Sequence, residues 1–248
     1  MIQKDAHDGQ IETNATTSFY QRLNDAAGIV IASATADPGE IGRVQHQIDE
    51  LNQWRETLAN RPESVALQSA ISEATVGVFL LVSGLYRPAF VSLRLLLELS
   101  LATVHFATNR LELAEWVQGR RDVRWSILIN QEQGVLSHRY SDAFFPALGE
   151  SVKTYNAIGA KVYRELSEYV HGNHYTWGNT TDTIAFNAAL QSRWVSQFEA
   201  AKTVVDYALT LRFLQEIGPA ELGALSTIID SSLGHIEPIR DFVRKERD

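Results

Sequence analysis

Two side chains that could act on a phosphodiester, Arg164 and His171, stand seven positions apart near the end of a segment with helical periodicity. At 100° per residue, seven steps turn a helix through about 700°, about 20° short of two turns, so both side chains would project from one stripe. An imidazole can move a proton to or from a ribose 2'-hydroxyl or a 5'-oxygen, while a guanidinium stabilises the charge on pentavalent phosphorus. The pair is therefore compatible with metal-independent cleavage of RNA.

The helix that must position this pair is predicted over residues 149–171, with Gly172 able to adopt the left-handed conformation that ends it. His171 would then lie in the last turn, where the helix dipole favours the imidazolium form. Residues 172–182 have the composition of a loop, and we expect this loop to close over a ligand. The loop residues predicted to bind substrate are Asn173, His174 and Tyr175.

The same residues allow two other interpretations. Arg164 could pair with Glu168 one turn on, while His171 merely caps the helix. Glu168 and His171 also have the Glu-x-x-His spacing of metal-binding bundles, in which two such pairs and two more glutamates converge. None of the other six histidines has a glutamate three positions before it, so the sequence provides no second pair. We therefore expect neither a metal nor another cofactor.

Arg164 and His171, with six residues between them in a helix led by Tyr163, resemble the R-x(4-6)-H signature of the HEPN superfamily. This superfamily consists of all-helical domains found in many toxin and antiviral ribonucleases. Residues 84–99 also look like the first-hairpin pattern of bacterial HEPN-like proteins, and the likeness covers about residues 63 to 215. The resemblance implies an all-α HEPN-like bundle, with Arg164 and His171 forming a ribonuclease centre that a homodimer completes.

Four further residues are candidates for supporting this centre. The position after the arginine is often asparagine, aspartate or histidine in active HEPN members, and here it is Glu165, which with Glu168 would support the pair. Arg94 and Glu98 lie at i, i+4 in an otherwise apolar helix, where an unpaired charge would cost several kcal/mol. A structural ion pair is the favoured interpretation of these two. The functional alternative is that they orient the side chains of the centre.

The densest basic region of the chain contains Arg120, Arg121 and Arg124, with Arg139 further on. Its arginines are interleaved with the aromatic residues Trp116, Trp125, His138 and Tyr140. Such a mixture suits a phosphate backbone and an unstacked base, so the three clustered arginines are predicted to bind RNA substrate. The alternative is an ordinary solvated face, because Asp122 already offsets part of the charge.

Composition limits the classes of protein that remain. A net charge of -8 argues against a surface that coats nucleic acid, so any such contact must be local. The absence of cysteine excludes disulfides, zinc-thiolate sites and thiol nucleophiles. Charged residues interrupt the apolar region 76–106, which predicts a pair of core helices and no contact with a membrane. The N-terminus lacks an apolar segment behind a basic start, so we expect a cytoplasmic protein.

Periodicity predicts an all-α fold that forms one compact unit, with residues 1–62 as an N-terminal helical layer packed on the core. The resemblance implies that residues 63–248 are the HEPN-like domain. The stretch around residues 140–146 is predicted to be irregular, and the charged end 240–248 to fray. The predicted helices span about 17–33, 63–85, 87–108, 111–118, 123–130, 149–171, 188–217 and 220–233. Another begins at residues 37–40 and carries apolar residues at helical spacing as far as Trp54.

The types and spacing of Arg164 and His171 predict a metal-independent endoribonuclease, and the resemblance implies that it belongs to a toxin or antiviral defence system. RNA is the expected substrate, and the expected partners are a second copy of the chain and an antitoxin or sensor protein. The alternative is a non-catalytic HEPN-like adaptor or dimerisation module in a defence or regulatory complex. Activity that depends on His171 would separate the two.

Overall fold

The structure, a computed structural model, describes residues 2–171, 173, 174, 176 and 184–245 of the chain. That part of the chain contains eleven α-helices, a single 3-10 turn and no strand, which confirms the all-α prediction. The helices are α1 Ile2–Ala34, α2 Gly39–Thr57, α3 Ser64–Val82, α4 Tyr86–Phe106, α5 Arg110–Val117, α6 Trp125–Leu128, α7 His138–Phe144, α8 Gly149–Ser167, α9 Ala188–Phe213, α10 Pro219–Leu233 and α11 Glu237–Lys245.

Helices α3 and α4 form an antiparallel hairpin at the centre of the molecule, joined by a tight turn. Gly84 has a φ of 79°, the left-handed conformation that a side chain would strain. The Leu85 N–H donates to the Leu80 carbonyl at 2.8 Å, and the Gly84 N–H donates to the Leu81 carbonyl at 3.1 Å. This pattern is a Schellman motif, so the sequence of the turn itself ends α3 and reverses the chain.

Helices α8 and α9 complete a four-helix core with this hairpin. Contacts of Arg87 with Val170 and of Arg94 with Tyr163 show that α4 and α8 are antiparallel. Helix α9 runs parallel to α4, and the indole of Trp194 donates to the Ala89 carbonyl at 2.9 Å. A Cβ added at residue 77 of α3 would meet the Trp194 ring at 3.2 Å, so glycine there permits the close packing.

Helix α2 packs against α3, α9 and α10, and its buried residues belong to the same hydrophobic core as the rest of the chain. The core therefore continues across the predicted boundary at residue 62. Helix α1 begins at Ile2, not near residue 17, and buries Val30 and Ala34 near its carboxyl end. Phe19 and Tyr20, further toward its amino end, are 49% and 64% exposed.

Two segments expected to be irregular are helical. The Ser137 hydroxyl accepts a hydrogen bond from the Tyr140 N–H at 3.2 Å and so caps α7, a local signal that the aromatic composition obscured. Helix α11 covers most of the end that was predicted to fray. Its residues Ile239 and Val243 are buried, and this burial stabilises the helix despite its charged neighbours.

By length and composition alone, α3 and α4 could each cross a membrane. Buried core helices meet the same criterion. Here α4 packs against α3, α8 and α9, and its charged side chains Arg87 and Arg94 bond within the protein. These contacts fit the predicted pair of core helices.

Candidate active site

The predicted active pair lies at the carboxyl end of α8, but the helix ends earlier than the sequence predicts. After Ser167 the N–H groups of Tyr169 and Val170 donate to carbonyls three residues back, at 3.1 Å each. His171 lies in a turn that continues from the helix, and its N–H donates to the Ser167 carbonyl, four residues back, at 3.2 Å. Both side chains are exposed at the same end of α8.

A contact from α4 binds the turn that follows α8. The Arg87 guanidinium donates to the Val170 carbonyl at 3.3 Å, so a side chain satisfies one of the carbonyls beyond the helix end. Tyr169, which is 2% exposed, stacks on Phe90 with ring centroids 4.0 Å apart and an interplanar angle of 12°. These contacts hold the turn that carries His171 against the first turns of α4.

Arg164 and His171 have no side-chain hydrogen bond or ion pair to any residue of the described ranges. In particular, the alternative pairing of Arg164 with Glu168 is not formed between these two described side chains. A surface arginine and histidine in this state keep their full set of donors for a ligand.

Two arginines that sequence reasoning did not assign to the site lie beside the pair. Arg87 reaches the peptide immediately before His171. Arg193 of α9 has its Cζ atom 5.7 Å from the centroid of the Tyr169 ring. With Arg164, three guanidinium groups and one imidazole gather at one end of the bundle, which favours an anionic ligand there. Only Arg87 had a sequence signal, as part of the hairpin pattern.

The predicted supporting glutamates differ in their surroundings. Glu165 accepts a hydrogen bond from the Gln197 amide at 2.6 Å, so its carboxylate faces α9. The Glu168 carbonyl accepts from the Thr176 hydroxyl at 3.4 Å, and that hydroxyl also bonds the Asn173 carbonyl at 2.8 Å. Thr176, which the sequence analysis missed, is 2% exposed and anchors the start of the loop to the end of α8.

The loop residues are described only in part. Asn173 and His174 are exposed next to His171, as a substrate contact requires. Tyr175 and most of the predicted closing loop lie outside the described residues. Among the described residues, no group of three histidine, aspartate or glutamate side chains could hold a metal ion. Glu168 and His171 therefore have no third metal ligand in that part of the chain.

Arg94 and Glu98 form the ion pair that the sequence favoured, with Nη2 and Oε2 4.0 Å apart. Arg94 also lies over the Tyr163 ring, 4.6 Å from its centroid, and donates to its hydroxyl. Burial raises the pKa of Glu98, and Arg94 and Tyr163 oppose this shift. Neither residue contacts Arg164 or His171 among the described side chains, so the proposed orienting role has no direct contact to support it.

The basic region separates into paired and unpaired arginines. Arg121 donates to Glu112 at 2.8 Å and to Glu115 at 3.5 Å, so its charge is already compensated and the prediction that it binds substrate is not supported. The side chains of Arg120 and Arg124 are exposed and make no hydrogen bond or ion pair within the described part of the chain.

Stacked rings connect this region to α8. Trp125 stacks on Tyr163 with centroids 3.8 Å apart and an interplanar angle of 4°. Because Arg124 precedes one ring and Arg164 follows the other in sequence, the basic region and the active pair adjoin the same stack. The sequence predicted the aromatic interleaving but not this stacking partner.

Comparison of the chain with protein-family models, with curated proteins and with solved structures gives no match. The function must therefore be argued from the residues of the site and from the sequence motif.

Proposed function

We propose that this protein is a cytoplasmic, metal-independent endoribonuclease of the HEPN type that acts as a toxin or in antiviral defence. The observation that carries the proposal is the end of α8, where exposed Arg164 and His171 have no described partner and Arg87 and Arg193 add positive charge. Such a group of cations can bind a phosphodiester despite the net charge of -8 on the whole chain.

The reaction that these groups support is an internal transesterification. The ribose 2'-oxygen attacks phosphorus as it loses its proton, the bond to the 5'-oxygen breaks, and that oxygen gains a proton. His171 exchanges the proton, while Arg164 stabilises the charge on the pentavalent phosphorus. The products are a 2',3'-cyclic phosphate and a 5'-hydroxyl, and no metal is needed.

A homodimer forms part of this proposal. The reaction needs a base at the 2'-oxygen and an acid at the 5'-oxygen, and each chain contributes one His171. A two-fold axis close to the end of α8 would bring two such pairs into one groove. Light scattering at micromolar concentration should give a dimer, and a chain that stays monomeric without a partner would contradict this part of the proposal.

The decisive experiment measures cleavage of a mixed-sequence single-stranded RNA in EDTA. His171→Ala and Arg164→Ala should each reduce the rate about a hundredfold or more while circular dichroism stays unchanged. His235→Ala and Arg244→Ala are matched controls. His235 bonds Tyr155, which lies about 18 Å along α8 from Ser167 and is therefore far from the active pair. Full activity in His171→Ala, or activity that chelation abolishes and a divalent ion restores, would contradict the proposal.

A second candidate is a non-catalytic HEPN-like adaptor that docks an antitoxin or a sensor protein. Exposed apolar side chains on α1 and α3 favour it, including Tyr20 and Phe79 at 64% and 63% exposure. Under this alternative, purified protein would bind RNA weakly or not at all, and His171→Ala would have no cellular effect. Toxicity that requires His171 would exclude it.

A further inference from the structure

A polar cavity of about 530 Å³ lies between α2, α9 and α10, and it does not include the residues of the α8 site. Its size is in the range of small-molecule sites. Among its lining residues are two cations, Arg43 and Lys202, and three carboxylates, Glu50, Glu199 and Asp206. The formal charges of these five side chains sum to one negative charge.

The cations of this cavity already have partners. Lys202, 3% exposed, donates to Glu50 at 2.8 Å and to Asp206 at 2.6 Å. Arg43 donates to Glu199 at 3.3 Å and also to a backbone carbonyl of its own helix at 3.1 Å. An anionic ligand would therefore have to displace a carboxylate to reach Lys202, and the charge of Arg43 is offset by Glu199.

The hydroxyl protons of the cavity wall are also used. Thr203 donates to the Glu199 carbonyl at 2.9 Å, and both Ser231 and Ser232 donate to the Ile228 carbonyl at 2.9 Å. A hydroxyl that has donated its proton offers only lone pairs to a ligand. These three hydroxyls therefore present acceptors to a ligand.

Two buried acceptors of the cavity lining, Gln47 Oε1 and Asp206 Oδ1, have no donor among the described residues. Asp206 lines the cavity and is 2% exposed, and its Oδ1 atom accepts no hydrogen bond from a described residue. Burial raises the pKa of the Asp206 carboxyl, whereas the Lys202 ammonium and the nearby Ser232 hydroxyl lower it. The Ser232 hydroxyl donates its proton to the Ile228 carbonyl. A buried carboxylate oxygen that accepts no hydrogen bond lowers the stability of the folded protein, and a cationic donor would supply the missing bond.

We propose that this cavity binds a small organic ammonium compound of the short aliphatic diamine type. One ammonium group would donate to Asp206 Oδ1 and to the serine oxygens. The negative charge of the cavity would favour binding of the second ammonium group. This proposal is independent of the ribonuclease proposal, because its ligand, its residues and its test differ.

The test is calorimetric titration of the full chain with 1,4-diaminobutane at constant ionic strength, with 1,4-butanediol as the uncharged probe of equal length. We expect one site per chain with a dissociation constant below about 1 mM for the diamine and no binding of the diol. Absence of diamine binding to the folded protein, or equal binding of the diol, would overturn the proposal.

Variants assign the binding to the cavity. Asp206→Asn should weaken diamine binding at least tenfold, and Ser232→Leu should do the same by filling the wall beside Asp206. Asp230→Asn, the same chemical change on an exposed face of α10, should leave binding unchanged. If Asp206→Asn fails to fold, Ser232→Leu decides. Binding retained in Ser232→Leu, or lost equally in Asp230→Asn, would place the ligand elsewhere.

Discussion

Arg87 donates a hydrogen bond across 3.3 Å to the backbone carbonyl of Val170, which places a guanidinium from the first turn of α4 against the peptide that precedes His171. The two residues are 83 positions apart in sequence. The contact satisfies a carbonyl of the turn beyond α8 and places a positive charge beside the proposed active pair. Under the proposed function, Arg87 is therefore a positioning residue for His171.

Replacing Arg87 tests this role. Arg87→Ala should lower kcat for RNA cleavage about tenfold or more, because the turn that carries His171 loses its anchor, whereas KM should change less. Arg87→Lys keeps the charge but not the planar fork, and should recover only part of the loss. Arg244→Ala is the control. Equal kcat in wild type and Arg87→Ala would show that the contact does not position His171.

The stack of Tyr169 on Phe90 should be a main source of stability for the same turn. Tyr169→Ala removes a buried ring and should reduce the free energy of unfolding by about 3 to 5 kcal/mol. Tyr20→Ala, at a position 64% exposed, should change it by less than about 0.5 kcal/mol. Urea denaturation measures both. A loss below about 1 kcal/mol at Tyr169 would mean that the ring does not hold the turn to α4.

Glu98 should give the stability of the protein a defined pH dependence. Burial raises its folded pKa above the ordinary value of 4.5, against Arg94 and Tyr163. The folded state then binds more protons than the unfolded state between the two pKa values, so the free energy of unfolding falls as pH rises through that window.

Glu98→Gln removes the titrating group. Its free energy of unfolding relative to wild type should therefore increase as pH rises from about 4 to 7, in urea denaturation at a series of pH values. Glu132→Gln, on the exposed surface, is the matched control. A relative stability that decreases with pH would mean that the ion pair with Arg94 outweighs burial.

Local patterns in the sequence predicted much of the fold. Apolar spacing in α2 predicted a buried face, and Val44, Leu51 and Trp54 are each fully buried. The start of α4 at Tyr86 lies within one residue of the predicted position, because a glycine turn and a proline are local signals. The predicted α6 and α9 were too long by a few residues at their ends.

The end of α8 could not be predicted in this way. Residues 168–171 continue the helical pattern in sequence, and the exact end of a helix is weakly determined by such a pattern. Their contact with Arg87 joins residues that are distant in sequence. Arg193 and Thr176 have no local signal at all, since each becomes part of the site only when α9 and the loop fold against Tyr169 and Glu168. The prediction of Arg164 and His171 as candidates needed only their types and spacing.

Arg121 is ion-paired whereas Arg124 is not, and this difference leads to a prediction about RNA binding. Arg124 is exposed without a described polar partner and adjoins the Trp125–Tyr163 stack, whereas Arg121 is held by Glu112 and Glu115. If Arg124 contacts a phosphate, Arg124→Ala should weaken binding to single-stranded RNA and reduce the slope of log K against log salt by about 0.7.

Arg121→Ala should leave that slope and the affinity unchanged, because its charge is already offset by two carboxylates. Its effect should instead be a small loss of stability, about 1 kcal/mol or less for a partly exposed pair. Fluorescence anisotropy of a labelled RNA at several salt concentrations, using the catalytically inactive His171→Ala chain as background, measures both variants without cleavage. If the two arginines reduced the salt slope equally, the ion pairs of Arg121 would have to open on binding, and the division of the basic region into paired and unpaired arginines would not predict its RNA contacts.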